Sequence, residues 1–195
     1  IASEKEYEII TTNPEELKAR EKLKELQKKP VEKSCDLFKR AYWKKNELSL
    51  EEADILQTAG WSEVRDAGFG EGQGNAYMVC NELANEGRNH FLLTELIYDE
   101  IQKYTGEVQR YGSTNPDIIF KVGEKRIAFE IETGDFPNAS NEKKSAKLEQ
   151  LRKLSKDWYF VVTHSHLKKE YLQYGKTLTR TEVVSKIKEL FGLPK

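Results

Sequence analysis

The chain has 195 residues, 37% hydrophobic and 33% charged, enough for one domain with a real core plus an appendage. Its 32 Lys and Arg against 33 Asp and Glu leave a formal charge of -1, which excludes the global basic field of many nucleic-acid binders and confines any such contact to a local patch. Cys35 and Cys80 lack ligand-like spacing and the three histidines are scattered, so a zinc cluster is excluded and reduced thiols in a cytoplasmic protein are expected.

No apolar run approaches the roughly 18 residues of a membrane span, and no signal-peptide pattern opens the chain. It begins at Ile1 rather than methionine, so a piece of a longer protein is expected. Asn13 caps a helix with Pro14 at its first position, and Leu17, Leu23 and Leu26 give that helix a thin apolar stripe to Lys28. A second helix is expected over 31–45. Ser49-Leu50-Glu51-Glu52 opens a third through a capping box. These elements read as a helical N-terminal extension over residues 1–60, either a partner- or DNA-binding arm, or an element that packs against the core or links it to a further domain.

Gly68, Gly70, Gly72 and Gly74 invite a phosphate-loop reading. It fails on context, because the lysine, the preceding buried strand and the following helix are all missing. A flexible connection and a short strand over 76–80 fit better. From Arg88 to Tyr104 the spacing of Leu93, Ile97, Ile101 and Tyr104 predicts an amphipathic helix closed by Gly106.

Residues 115–134, NPDIIFKVGEKRIAFEIETG, read as one hairpin about a two-residue turn at Gly123-Glu124. If Val122 pairs with Lys125, the same register pairs Asp117 with Glu130. Ile118, Phe120, Val122, Ile127, Phe129 and Ile131 then share a core face, while Asp117, Ile119, Lys121, Arg126, Ala128, Glu130 and Glu132 share the other. Directly opposed Cβ atoms lie about 4.5–5.5 Å apart, where like charges repel. A bound divalent cation removes that penalty.

A polar loop follows, then a helix over 142–155 with Leu148, Leu151 and Leu154 as its stripe, a buried strand over 158–163, and a last helix between Thr179-x-x-Glu182 and Gly192. Two strands joined by a helix are expected to run parallel through a right-handed crossover.

That order, with Pro116-Asp117 opening one strand and Glu130-Ile131-Glu132 closing the next, resembles the PD-(D/E)xK nuclease superfamily over about residues 87–163. The resemblance implies an α/β, restriction endonuclease-like three-layer core over 61–195, its mixed β-sheet flanked by helices. It implies a magnesium- or manganese-dependent endonuclease acting on duplex or branched DNA, with a homodimer as one arrangement. Asp117 and Glu130 become the metal ligands, and Glu132 occupies the slot usually held by lysine, as general base or further ligand. The missing cation is sought on the next helix at Lys143, Lys144 or Lys147, with Lys147 favoured. Glu95 is the candidate acidic residue from the preceding helix. The same absent lysine leaves an alternative open, a catalytically inactive nuclease-fold module for nucleic-acid binding or protein assembly.

The chemistry of the residues agrees. Magnesium takes hard oxygen ligands and keeps several waters, so two or three carboxylates suffice. A solvated hairpin face is the alternative origin of the same acidic residues. Lys143, Lys144, Lys147 and Arg152, with Lys153 and Lys156, form the densest basic run and the expected nucleic-acid contact, a solvated helix face being the alternative. Lys168, Lys169, Tyr171 and Tyr174 extend that track on paper. His90 reads as half-buried and bonded to backbone or as a phosphate contact, and His164 and His166 as surface residues.

Overall fold

A computed structural model describes residues 36–65, 68–69, 75–81, 87–111 and 116–194. The helix expected over 14–28, and residues 70–74 of the glycine-dense segment, lie outside the described residues. The chain divides into two compact units, residues 1–40 and 41–195. In the first, Asp36 and Leu37 are helical and Lys39 N donates to Asp36 O at 3.2 Å.

The second unit opens with a correction. Where a helix is expected to continue to Lys45, the chain forms strand β1 (Tyr42–Lys44), whose aromatic Tyr42 and Trp43 pair with Val79 and Met78 of strand β3 (Tyr77–Cys80). Helix α1 (Leu50–Thr58) has the expected capping box: Glu52 N donates to Ser49 Oγ at 3.2 Å and Ser49 N to Glu52 Oε2 at 2.8 Å. It leads into β2 (Trp61–Val64), which completes an antiparallel sheet of order β1-β3-β2.

A second, mixed sheet is the centre of the unit. Its order is β4 (Val108–Arg110), β5 (Ile118–Val122), β6 (Lys125–Glu132), β7 (Asp157–Val162) and β8 (Thr177–Thr179). The first three run antiparallel; β6, β7 and β8 are parallel neighbours. The β5–β6 hairpin turns at Gly123, whose φ of +56° is the left-handed value that primed turns require.

Helices pack against this sheet. Leu93, Ile97 and Ile101 of α2 (Arg88–Gln102) and Val183 and Ile187 of α5 (Val183–Leu190) join Ile118, Phe120, Ile127, Phe129 and Ile131 in one core, the face the alternation of the hairpin predicts. The reverse turn of α2 carries Leu92 and Leu96, which pack with Val64, Tyr77 and Val79 of the smaller sheet. One helix therefore serves two cores, which is why its residues 92–97 are buried all round.

On β7 the alternation continues. Tyr159 and Val161 face the first core, while Phe160 and Val162 face a second built with Leu151 of α3 (Asn141–Leu154), Phe136, Leu167 and Tyr171 of the short helix α4 (Lys168–Tyr171). Ser140 caps α3, accepting from Lys143 N at 3.4 Å. Ser155 ends it: its hydroxyl donates within reach of Arg126 O at 2.6 Å and Asp157 O at 2.7 Å, tying the helix end to the starts of β6 and β7. Among the described residues no helix is long and apolar enough to cross a membrane.

Candidate active site

The hairpin has the register its sequence demands. Val122 faces Lys125 and Ile118 faces Phe129, so Asp117, one residue before β5, stands opposite Glu130. Asp117 is held from two sides: Tyr111 N donates to its carbonyl at 3.0 Å, and Ile131 N donates to its Oδ2 at 2.7 Å. Both acids are buried, Asp117 at 7% and Glu130 at 5% exposure, because β6 is a central strand with packing on each face.

Burying two carboxylates side by side is unfavourable unless something opposes their charge. Lys147 does part of this. From the first half of α3 its ammonium is paired with Glu130 Oε1. Burial pulls that ammonium's pKa down, but attraction to Glu130, Asp117 and Glu132 outweighs it, and the net shift is upward. Glu130 stands well above the carboxylate range, first through burial and then through Asp117, with Lys147 opposing both. Its Oε2 is buried with no hydrogen-bond partner among the described residues.

Glu132, two residues on and on the same face, is less enclosed. Burial pushes its pKa up to about 7, a rise that Tyr171 and Lys147 moderate. Tyr171 Oη donates to Glu132 Oε2 at 2.9 Å. The phenol is fully buried, and Phe136 and Phe160 lie against its ring. N–H groups of Gly134 and Phe136 also face its oxygen. Gly134 makes the bend possible, with φ +119° and Leu167 Cδ2 only 3.3 Å from where a Cβ would stand.

Two partners escape the sequence reading. His90, at the start of α2, places Nε2 3.3 Å from Asp117 Oδ1, a contact between distant segments that no local pattern announces. Tyr171, expected to extend the DNA track, is buried beneath Glu132. The signal for it was available: Leu167 and Tyr171 are four residues apart, the spacing of one helical face.

Among the described residues no ion pair or hydrogen bond joins Glu95 to Glu130. Glu95 is ion-paired with Arg110 of β4. Arg110 lies opposite Ile118, so its side chain belongs to the α2 face of the sheet, the reverse of the face that carries Glu130. Of the expected basic contacts, Lys143 and Arg152 are exposed, while Lys144 Nζ donates to Pro137 O at 3.0 Å. His164 and His166 are exposed and stack on one another.

Among the described residues no three or more His, Cys, Asp and Glu side chains form a metal-binding group. The closest assembly is the Asp117–Glu130 pair, with Glu132 and Lys147 beside it. The orphaned Oε2 of Glu130 and the mutual repulsion of the pair nonetheless fit a small hard cation, which needs few protein oxygens when waters fill its shell. No family model matches the chain, and comparisons with curated proteins and with solved structures find no match.

Proposed function

We propose that the chain is a divalent-metal-dependent endonuclease of the PD-(D/E)xK type that hydrolyses phosphodiester bonds in DNA, its helix-flanked mixed sheet being a restriction endonuclease-like three-layer core. The observation that carries this reading is the buried meeting of Asp117 and Glu130 on neighbouring strands, with Lys147 of the following helix against Glu130.

Asp117 and Glu130 would hold magnesium or manganese. When bound, the metal supplies a lowered water pKa and charge stabilisation at the phosphate. The remaining roles belong to the chain. Ile131 N–H fixes Asp117, and Tyr171 fixes Glu132 through Oε2, leaving Oε1 to accept a proton. With a pKa near 7, Glu132 can take that proton from water at neutral pH and release it again. As water oxygen bonds to phosphorus, the bond to the leaving oxygen breaks, and the leaving group is protonated from solvent. Lys147 brings the positive charge that Glu132, in its own position, cannot give.

One observation favours the inactive-module alternative: Glu132 stands in the slot that the family usually fills with lysine. Supercoiled, linear and branched DNA incubated with magnesium or manganese separates the two. The nuclease reading expects cleavage that Asp117→Asn and Glu130→Gln both abolish. Binding without cleavage under either metal identifies the inactive module instead.

A further inference from the structure

The sheet face that carries Asp117 and Glu130 extends sideways into a cleft of about 600 Å³, whose lining includes Glu107, Gln109, Tyr111, Ile119, Lys121 and Arg126. The volume lies within the range of about 300–1,000 Å³ typical of ligand clefts.

Strand register sorts these residues into rows. Arg110 pairs with Ile118 and Tyr111 N donates to Asp117 O, so Tyr111 stands in line with Asp117 and Glu130. In the next row Ile119 lies opposite both Gln109 and Ala128. In the third, Lys121 lies opposite Arg126 and its ammonium is 2.7 Å from Glu107. The floor thus runs from an aromatic ring beside the carboxylates, over an uncharged middle, to a cationic end. Arg126 is exposed and makes no ion pair among the described residues. Tyr111 Oη donates a hydrogen bond to Gln109 Oε1, which restrains the ring.

From Asp117 to Lys121 is four residues, about 14 Å at roughly 3.4 Å per residue. That spans about two to four nucleotides of one strand, given a rise of at least about 3.4 Å per nucleotide. An aromatic platform followed by a basic contact is the arrangement by which proteins hold single strands. A chain of net charge -1 has no global basic field to draw in both backbones of a duplex.

We propose that this cleft is the track for a single DNA strand leading to the Asp117–Glu130 site, with one base stacked on Tyr111 and a phosphate on Arg126. The substrate class is therefore DNA with an unpaired segment. The inference rests on the nuclease reading for its catalytic end and on the strand register for its path.

The test is fluorescence anisotropy of the full chain with a labelled 12-nucleotide single strand and the corresponding blunt duplex, in EDTA, alongside manganese-dependent cleavage of both. Tighter binding of the single strand is expected. Tyr111→Ala and Arg126→Glu should each weaken it about tenfold. Arg126→Glu should also flatten the salt dependence by about 0.7 in log–log slope. Lys188→Glu on α5, across the sheet, is the charge control and should bind as the native chain; circular dichroism checks the fold of each variant. Native-like binding by both cleft variants, or tighter binding of the duplex, overturns the track. If those variants also cut as well as native protein, the nuclease reading survives its loss. If the native chain cuts nothing but the cleft variants lose the single strand, the track survives and the nuclease reading falls. If the native chain neither binds nor cuts, both fall.

Discussion

The Lys147 ammonium is paired with one oxygen of Glu130, while the other oxygen of that carboxylate is buried without a partner among the described residues. Removing one member of a buried pair strands the other, at about 3–5 kcal/mol. Lys147 keeps 26% of its side chain exposed, so the low end applies. Lys147→Met is expected to lose about 3 kcal/mol in urea denaturation at pH 8. The deficit should shrink as pH falls, because a protonated Glu130 needs no counter-charge. A deficit independent of pH would mean that Lys147 acts through packing alone.

Asp117 offers the opposite sign. Asn at this position can still accept from Ile131 N–H, but it removes the charge that helps to raise Glu130. Asp117→Asn is therefore expected to stabilise the metal-free protein by about 0.5–1 kcal/mol. Added manganese should raise the melting temperature of the native chain and leave the variant unmoved, since a ligand stabilises only the state that binds it. Destabilisation in EDTA, or an equal response to manganese, contradicts the assignment.

The hairpin was legible because its information is local: one glycine turn fixes a register, and the register fixes both the core face and the meeting of Asp117 with Glu130. Strands β4 and β8 were not, since three residues each are too few to show a period. That gap hid the partner of Glu95, since Arg110 lies on the unseen β4. The inner stripe of α2 was visible in Leu93, Ile97 and Ile101, but Leu92 and Leu96 acquire meaning only once a second sheet is known to pack there. Among the candidates Lys143, Lys144 and Lys147, Lys147 stood out through its place one turn into α3, and it is the one paired with Glu130.

Glu132 makes stability depend on pH near neutrality. Burial raises its pKa from 4.5 to about 7, so between those values the folded chain holds a proton that the unfolded chain has released. Its contribution is complete below about pH 4.5 and is lost as pH rises through about 7. The difference in stability between native protein and Glu132→Gln, measured by urea unfolding in EDTA, should therefore fall by at most about 3 kcal/mol between pH 4.5 and 8. A flat difference would show that the carboxylate ionises as it does in water.

Tyr171 sets the Glu132 carboxylate against the bend at residues 134–136, and its ring is buried among Phe136 and Phe160. Tyr171→Phe keeps the ring and removes only the hydroxyl. Glu132 loses its donor and the N–H groups of Gly134 and Phe136 lose an acceptor, which costs about 1–3 kcal/mol in a buried setting. Because the hydroxyl favours the ionised carboxylate, its loss should move the Glu132 titration above 7. In an active nuclease the alkaline shift would appear in the pH–rate profile as well as in carbon-13 chemical shifts of labelled glutamate. A Phe variant whose titration and rate match the native protein would mean that Glu132 holds its position without this hydroxyl, and that Tyr171 is there only to fill the core between β7 and α4.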